Sequence, residues 1–355
     1  MACILVALGL MPFAGASAPA VSSARLRIAE ETGKYTVAAC DKETGLKPQT
    51  LLSRESFLNA ITVLQAIGGS TNAVVHLMAI IGRHPAVAGT ITLDTVDEIG
   101  RKTPLLPLLH LEALTYTGKT LGEELAQTTP LAVPQTLSCI QPFDEPLYPK
   151  SSLVVLRGNL APGGAVMKAS ASKDRRLLNR VGRAVVFAGS ADLSRRVDEP
   201  DLEVTADSVL VLQNIGPVGN PGMPEAGMIP IPRNLAEQGI SDMLRLSDGR
   251  MSGTAGGTIG LHISPEAADP SSVLGIIRDG DIIHCDVERR VLCVDISGEE
   301  IARRIEGRKA AIETESNKVP WQARETMRGY RGLYLRSVNQ AQFGADFDFL
   351  TAAGP

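Results

Sequence analysis

Ser151-Ser-Leu-Val-Val-Leu-Arg-Gly-Asn-Leu-Ala-Pro-Gly-Gly-Ala165 is where the character of the chain changes. Leu153–Leu156 is a short apolar run rich in branched residues, and Gly158–Ala165 closes it with glycine and proline. Such a run bounded by turn formers reads as a β-strand. The pattern recurs at Ala184–Phe187, Val209–Leu212, Ile282–Ile283 and Val291–Ile296, with Gly, Asp and Pro clusters between the runs. Short strands on tight connections predict a barrel or a compact mixed sheet carrying one or two packed helices. Ser297–Arg308 reads as one helix, capped by Ser297, with Glu299 and Glu300 in the first turn where the helix dipole favours negative charge. From Pro320 onward the chain reads as a docking tail, helical over Arg331–Gln342.

Upstream the periodicity is helical. Ala20–Ala39 carries Arg25, Arg27, Glu30 and Glu31 at the spacing of a surface helix. Ser53–Gly82 reads as a long helical region with Ser53 as its N-cap and an apolar stripe at Phe57, Ile61, Leu64 and Ile67. Gly68-Gly-Ser-Thr-Asn72 interrupts the stripe, and Val74–Ile81 resumes as a buried helix. Glycine loses the most backbone entropy on ordering, so a Gly-Gly break points to close backbone approach or to packing. Ile91–Gly122 is mixed, and Thr129–Lys150 is a proline-rich linker. The expected class is α/β, divided into residues 1–128, a linker at 129–150, a β domain at 151–310 and a tail at 311–355.

Composition excludes several functions. The 355 residues are 44% hydrophobic and 21% charged, with a formal net charge of −4, as in a soluble two-domain protein. No basic stretch with interleaved aromatics exists, and aromatics are only 4%, so nucleic acid is not an expected partner. The five cysteines (Cys3, Cys40, Cys139, Cys285 and Cys293) are irregularly spaced without a CxxC, against a disulfide framework or a structural zinc site. A reducing intracellular compartment is the corresponding expectation. Met1–Ala20 is apolar and ends in small residues, but the first basic residue is Arg25, so the positive start of a secretory signal is absent. No apolar run is long enough to predict a membrane span.

Three Gly/Pro-rich segments lie in the β region: Gly158–Ala165, Gly216–Glu225 and Leu246–Ala255. Each alone reads equally as a tight turn. Together with Arg54-Glu-Ser-Phe-Leu-Asn-Ala60, Gly68-Gly-Ser-Thr-Asn-Ala-Val-Val-His-Leu77, Gly222-Met-Pro-Glu225 and Ser247-Asp-Gly-Arg-Met-Ser-Gly253, they resemble the dihydroxy-acid, sugar-acid and phosphogluconate dehydratases. The last motif resembles the family's C-terminal signature, with Ser247 where threonine is usual. The resemblance implies a remnant of an N-terminal α/β domain followed by a β-barrel-like, swivelling β/β/α domain. It implies a hydro-lyase using a [2Fe-2S] cluster and Mg2+, acting as a homo-oligomer, dimer or tetramer, on a small hydroxy acid. Ser252 is then the implied base, acting as an alkoxide, Thr254 a substrate-binding hydroxyl and Glu225 a magnesium ligand. A serine hydroxyl is too weak a base unless nearby positive charge lowers its pKa. His76, on an apolar helical face, reads as a packed core histidine. Asp346 and Asp348 read as facing solvent, and the Arg303–Lys309 charge run as a solvated helix face.

The chain also departs from that pattern. The family's cluster cysteines belong upstream of where Met1 falls, so no cluster ligand is expected in this chain. Cys40-Asp41-Lys42 is similar to a Cys-Asp-Lys motif, but Gly45 stands where that motif continues to proline. The flanks Thr103-Pro-Leu and Leu109-His-Leu nearly abut where the family carries a longer insert. The sequence therefore reads as a truncated, inactive form of a dehydratase, or as a non-catalytic pseudoenzyme or misassembled reading frame. For the full-length form, the tail Arg328–Leu350 with Met167-Lys168 resembles the sugar-acid branch, which implies conversion of an aldonate to a 2-keto-3-deoxy acid. The alternative is the dihydroxy-acid dehydratase of branched-chain amino-acid biosynthesis.

Overall fold

Caps and apolar stripes set the helices. Ser53 accepts from the Ser56 amide (3.2 Å) and opens the helix Arg54–Ala66, whose Phe57, Ile61 and Leu64 are fully buried. Ser70 accepts from the Asn72 amide (3.3 Å) and opens a separate helix, Thr71–Arg83. The long helical region is thus two helices, broken at the Gly68-Gly69 pair. The computed structural model describes residues 1–102, 108–128, 141–142, 145–252, 256–314 and 326–352. They form two compact units, residues 1–69 with 86–152, and residues 70–85 with 153–355.

The first unit is helical. Its longest elements are Ser23–Ala39, Arg54–Ala66 and Leu93–Lys102. Buried polar groups tie it together: Asn59 exchanges two hydrogen bonds with the His110 backbone (2.7 and 3.0 Å), and Gln65 donates to the Val96 carbonyl (3.0 Å). Among the described residues no helix is long and apolar enough to cross a membrane.

The second unit is built on a closed barrel of eight strands, so the whole fold is of mixed α/β class. The strands are β1 (Leu153–Gly158), β2 (Ala161–Lys168), β3 (Asn179–Phe187), β4 (Val209–Leu212), β5 (Arg245–Ser247), β6 (Ile259–Ser264), β7 (Ile282–Asp286) and β8 (Val291–Val294). Their order around the barrel is β1-β2-β6-β5-β4-β3-β7-β8, closed by a parallel β8–β1 pair. β3, β4, β5 and β6 run parallel, and the remaining neighbours within the order are antiparallel. β4 has parallel neighbours on both sides and every residue buried, which is why it is an unbroken Val-Leu-Val-Leu run. Phe187, Leu210, Leu212 and Met243 form a core that Leu193 and Leu235 cover from the short helices Ser190–Arg196 and Arg233–Glu237.

Three strands lie outside the expected runs. β2 occupies the Gly/Pro-rich segment read as a loop, yet it pairs with both β1 and β6. A Cβ at Gly163 would come 2.9 Å from the Ser264 side chain, so the pairing requires the glycine that obscured the strand. The helix Gly298–Thr314 outlasts the expected end at Arg308, and its charge run is not simply solvated. Arg304 pairs with Asp281 (2.6 Å), both side chains only 10% exposed, and Arg308 donates to the carbonyls of Ala267 and Asp269. Asp346 does not face solvent either: it takes a two-pronged bond from Arg83, both distances 2.5 Å, on the helix Thr71–Arg83. The expected Arg331–Gln342 helix is Gly329–Ser337 followed by a short 3-10 turn at Ala341–Phe343.

Candidate active site

Within the barrel unit, the first turns of the helix Thr71–Arg83 meet two loops, Asn214–Gly227 and Asp248–Ser252. Asn72 and His76 are one turn apart on that helix and so share a face. The Asn72 amide nitrogen donates to the Glu225 carboxylate. Its amide oxygen is buried and, among the described residues, has no hydrogen-bond partner. His76 is exposed rather than packed in a core, and its Nε2 lies 3.5 Å from Arg250 Nη1. Burial and then the Arg250 charge lower its pKa, against an opposing effect of Glu225, so the ring is neutral.

Arg250 joins the two loops. Its Nε donates to the Met223 carbonyl (2.5 Å), and its own carbonyl accepts from the Gly227 amide (2.8 Å). Beneath them lie two buried carboxylates. Asp248 accepts from the amides of Asn214 (3.1 Å), Ile215 (2.9 Å) and Ala267 (2.8 Å). Glu266 accepts from the amides of Val218 (3.0 Å) and Gly219 (2.8 Å). Burial pushes Asp248 up to about 6 and Glu266 up to about 7, because desolvation outweighs the amide donors.

β6 carries a bulge where its register with β2 shifts between Gly164 and Val166. His262 sits there with a left-handed φ of 56°, its amide turned to the Gly249 carbonyl (3.0 Å). The ring is fully buried, and among the described residues neither nitrogen has a partner. Burial, Arg250 and His76 push its pKa down to about 3, so it too is neutral.

Ser252 lines a narrow cleft with Ser70, Thr71, Lys168 and Met251. Lys168, at the end of β2, is half-buried, and burial lowers its ammonium pKa. The arrangement thus sets Ser252 and Lys168 on a common cleft, and the Glu225 carboxylate on the loop joined to the Ser252 loop through Arg250. Thr254 lies outside the described residues. Sequence reasoning singled out neither Asn72, Arg250, Lys168 nor the buried acids. All but Glu266 lie in or beside quoted motifs, but nothing local marks them as neighbours in space.

A family model described as Dihydroxy-acid/6-phosphogluconate dehydratase C-terminal matches residues 138–345, and its N-terminal counterpart matches residues 1–110. The chain belongs to this dehydratase family. It is 38% identical over 376 residues to L-arabinonate dehydratase of Rhizobium leguminosarum bv. trifolii, covering 97% of this chain and 61% of that protein. It is 39% identical over 384 residues to 6-deoxy-6-sulfo-D-gluconate dehydratase of Pseudomonas putida, covering 99% and 62%. It is 33% identical over 376 residues to dihydroxy-acid dehydratase of Caldicellulosiruptor saccharolyticus, covering 97% and 63%. The chain thus spans about three fifths of the length of the curated relatives it matches.

Proposed function

We propose that this chain carries the Ser252 and Glu225 part of a hydro-lyase that converts an aldonate to a 2-keto-3-deoxy acid. The observation that supports it most is the pairing of a serine–lysine cleft with a carboxylate loop joined to the same signature segment through Arg250. Ser252 takes the proton alpha to the substrate carboxylate. Lys168 lines the same cleft, and its positive charge favours the alkoxide form that this requires. Hydroxide leaves the adjacent carbon, and the enol product rearranges to the keto acid. The aldonate assignment rests on relatives at 38–39% identity over 97–99% of the chain named for sugar acids, against dihydroxy-acid dehydratases at 33% over 97% and at 36–37% over 84–86%.

The donor set at Glu225 fits a hard dication such as Mg2+: a carboxylate beside Asn72, whose buried amide oxygen has no partner among the described residues. Glu225 would hold such an ion, which when bound supplies charge that stabilises the enolate-like transition state. The described cysteines do not fit a [2Fe-2S] cluster. None of Cys3, Cys40, Cys285 and Cys293 belongs to a group of three His, Cys, Asp or Glu side chains that could hold a metal among the described residues. No step of the proposal passes through a cluster.

The test is formation of 2-keto acid by the anaerobically purified chain from arabinonate, xylonate and galactonate. Ser252→Ala should remove turnover by about 100-fold or more, as loss of a proton-abstracting group does. A higher kcat/KM for 2,3-dihydroxyisovalerate would install the biosynthetic reading. Turnover of none of the four would favour the truncated, inactive form or the non-catalytic reading over an enzyme active as this chain.

A further inference from the structure

Glu225 sits at the middle of a five-residue segment, Met223–Gly227, that is held at both ends by one residue. At the upstream end the Met223 carbonyl accepts from Arg250 Nε at 2.5 Å. At the downstream end the Gly227 amide donates to the Arg250 carbonyl at 2.8 Å. Met223 is buried with a φ of 45°, a left-handed conformation that non-glycine residues rarely adopt and that persists only where surroundings enforce it. At Gly227 the two backbones touch: an added Cβ would lie 2.9 Å from the Arg250 carbonyl oxygen. Pro224, between the two ends, fixes one further torsion.

We propose that Arg250 is the positioning residue of this site, and that its Nε–H donor, rather than its charge, fixes the Glu225 segment to the Ser252 loop. The inference relies on the proposed function only for the importance of Glu225 and Ser252. The bond from Nε is charge-assisted and short, so it is the stronger of the side chain's two polar contacts among the described residues. The other, Nη1 against the neutral His76 ring, is 3.5 Å long. Serving the guanidinium's charge alone would not need a carbonyl turned onto Nε by a left-handed residue.

Three substitutions separate donor from charge. Arg250→Gln keeps an N–H donor the same number of bonds from Cα as Nε and removes the charge. Arg250→Lys keeps the charge and moves the donor one atom outward. Arg250→Met keeps length and has no donor. The readout is amide hydrogen exchange of the substrate-free chain, comparing the peptide spanning residues 220–229 with β1 and β4.

In the Met and Lys variants the Gly227 amide should exchange about tenfold faster or more, the size of effect that loss of a charge-assisted bond has on a local opening. In the Gln variant exchange should stay within about threefold of the parent, since the neutral donor is retained. β1 and β4 should be unchanged throughout. Gln exchanging as fast as Met, or Lys as slowly as the parent, would overturn the donor role. Equal acceleration across the barrel would overturn positioning in favour of bulk stability. If the Met variant fails to fold, the Gln–Lys comparison still decides. Exchange needs no substrate, so the clamp and the catalytic reading can fail independently.

Discussion

Arg245→Met should unfold the barrel unit at a markedly lower temperature. Arg245 and Asp242 form a buried ion pair (2.9 Å) with side chains 5% and 1% exposed. Arg245 Nη1 also donates to the Ile229 carbonyl (3.0 Å), four residues after Glu225, and Nη2 to the Gly256 carbonyl (3.2 Å), four residues after Ser252. Asp242 in turn accepts from the Thr258 amide (3.0 Å), the Thr258 hydroxyl (2.8 Å) and the Lys173 amide (3.1 Å). The pair therefore fastens the downstream ends of both site loops. Methionine fills most of the space but leaves the carboxylate buried with no counter-charge. Breaking a buried pair from one side costs about 3–5 kcal/mol. That is a large share of the roughly 5–15 kcal/mol by which a domain is stable. For a unit of this size the midpoint should fall by roughly 10 °C. The assay is thermal and urea unfolding by far-UV circular dichroism, with Asp242→Asn and the double variant completing the cycle. The double variant should recover at least about 1.5 kcal/mol relative to the sum of the singles, because residues in direct contact couple. A loss below about 1 kcal/mol for Arg245→Met, or strictly additive singles, would refute the reasoning.

Other expectations follow from single observations. Burial pushes Glu266 up to about 7 from an ordinary 4.5, so between those values the folded chain keeps a proton that the unfolded chain has released. Stability should then fall as pH rises through that window and level off above it, and Glu266→Gln should flatten the slope between pH 5 and pH 8 in a melting series. Phe57, fully buried in the helical unit, should cost about 3–5 kcal/mol when changed to Ala, read as an earlier loss of helical signal in urea. Cys285 is buried, and burial pushes its thiol up to about 12, whereas Cys40 is exposed. Iodoacetamide at pH 8 should label Cys40 first, and equal labelling of Cys285 in the folded chain, seen by peptide mass spectrometry, would count against its burial.

Sequence alone determined the features whose causes are local. Ser53 and Ser297 act as caps because an N-cap depends on a hydroxyl and the next amides along the chain. β1 and β4 were legible because an apolar run bounded by turn formers is itself the signal. β2 and β6 were not legible, since their glycine, proline and histidine lower local strand preference and only pairing on both sides holds them extended. Motif resemblance singled out Glu225 and Ser252, but not what surrounds them. His76 shows the limit most clearly. Helical periodicity puts it on an apolar face, whereas the fold leaves that position open to Arg250, 174 residues along the chain. Asn72 meets Glu225 across 153 residues, and Asp346 leaves solvent for Arg83 across 263. Such pairings depend on how a closed barrel with one helix from upstream brings distant segments together. No local preference encodes that distance, so only the tertiary structure decided them.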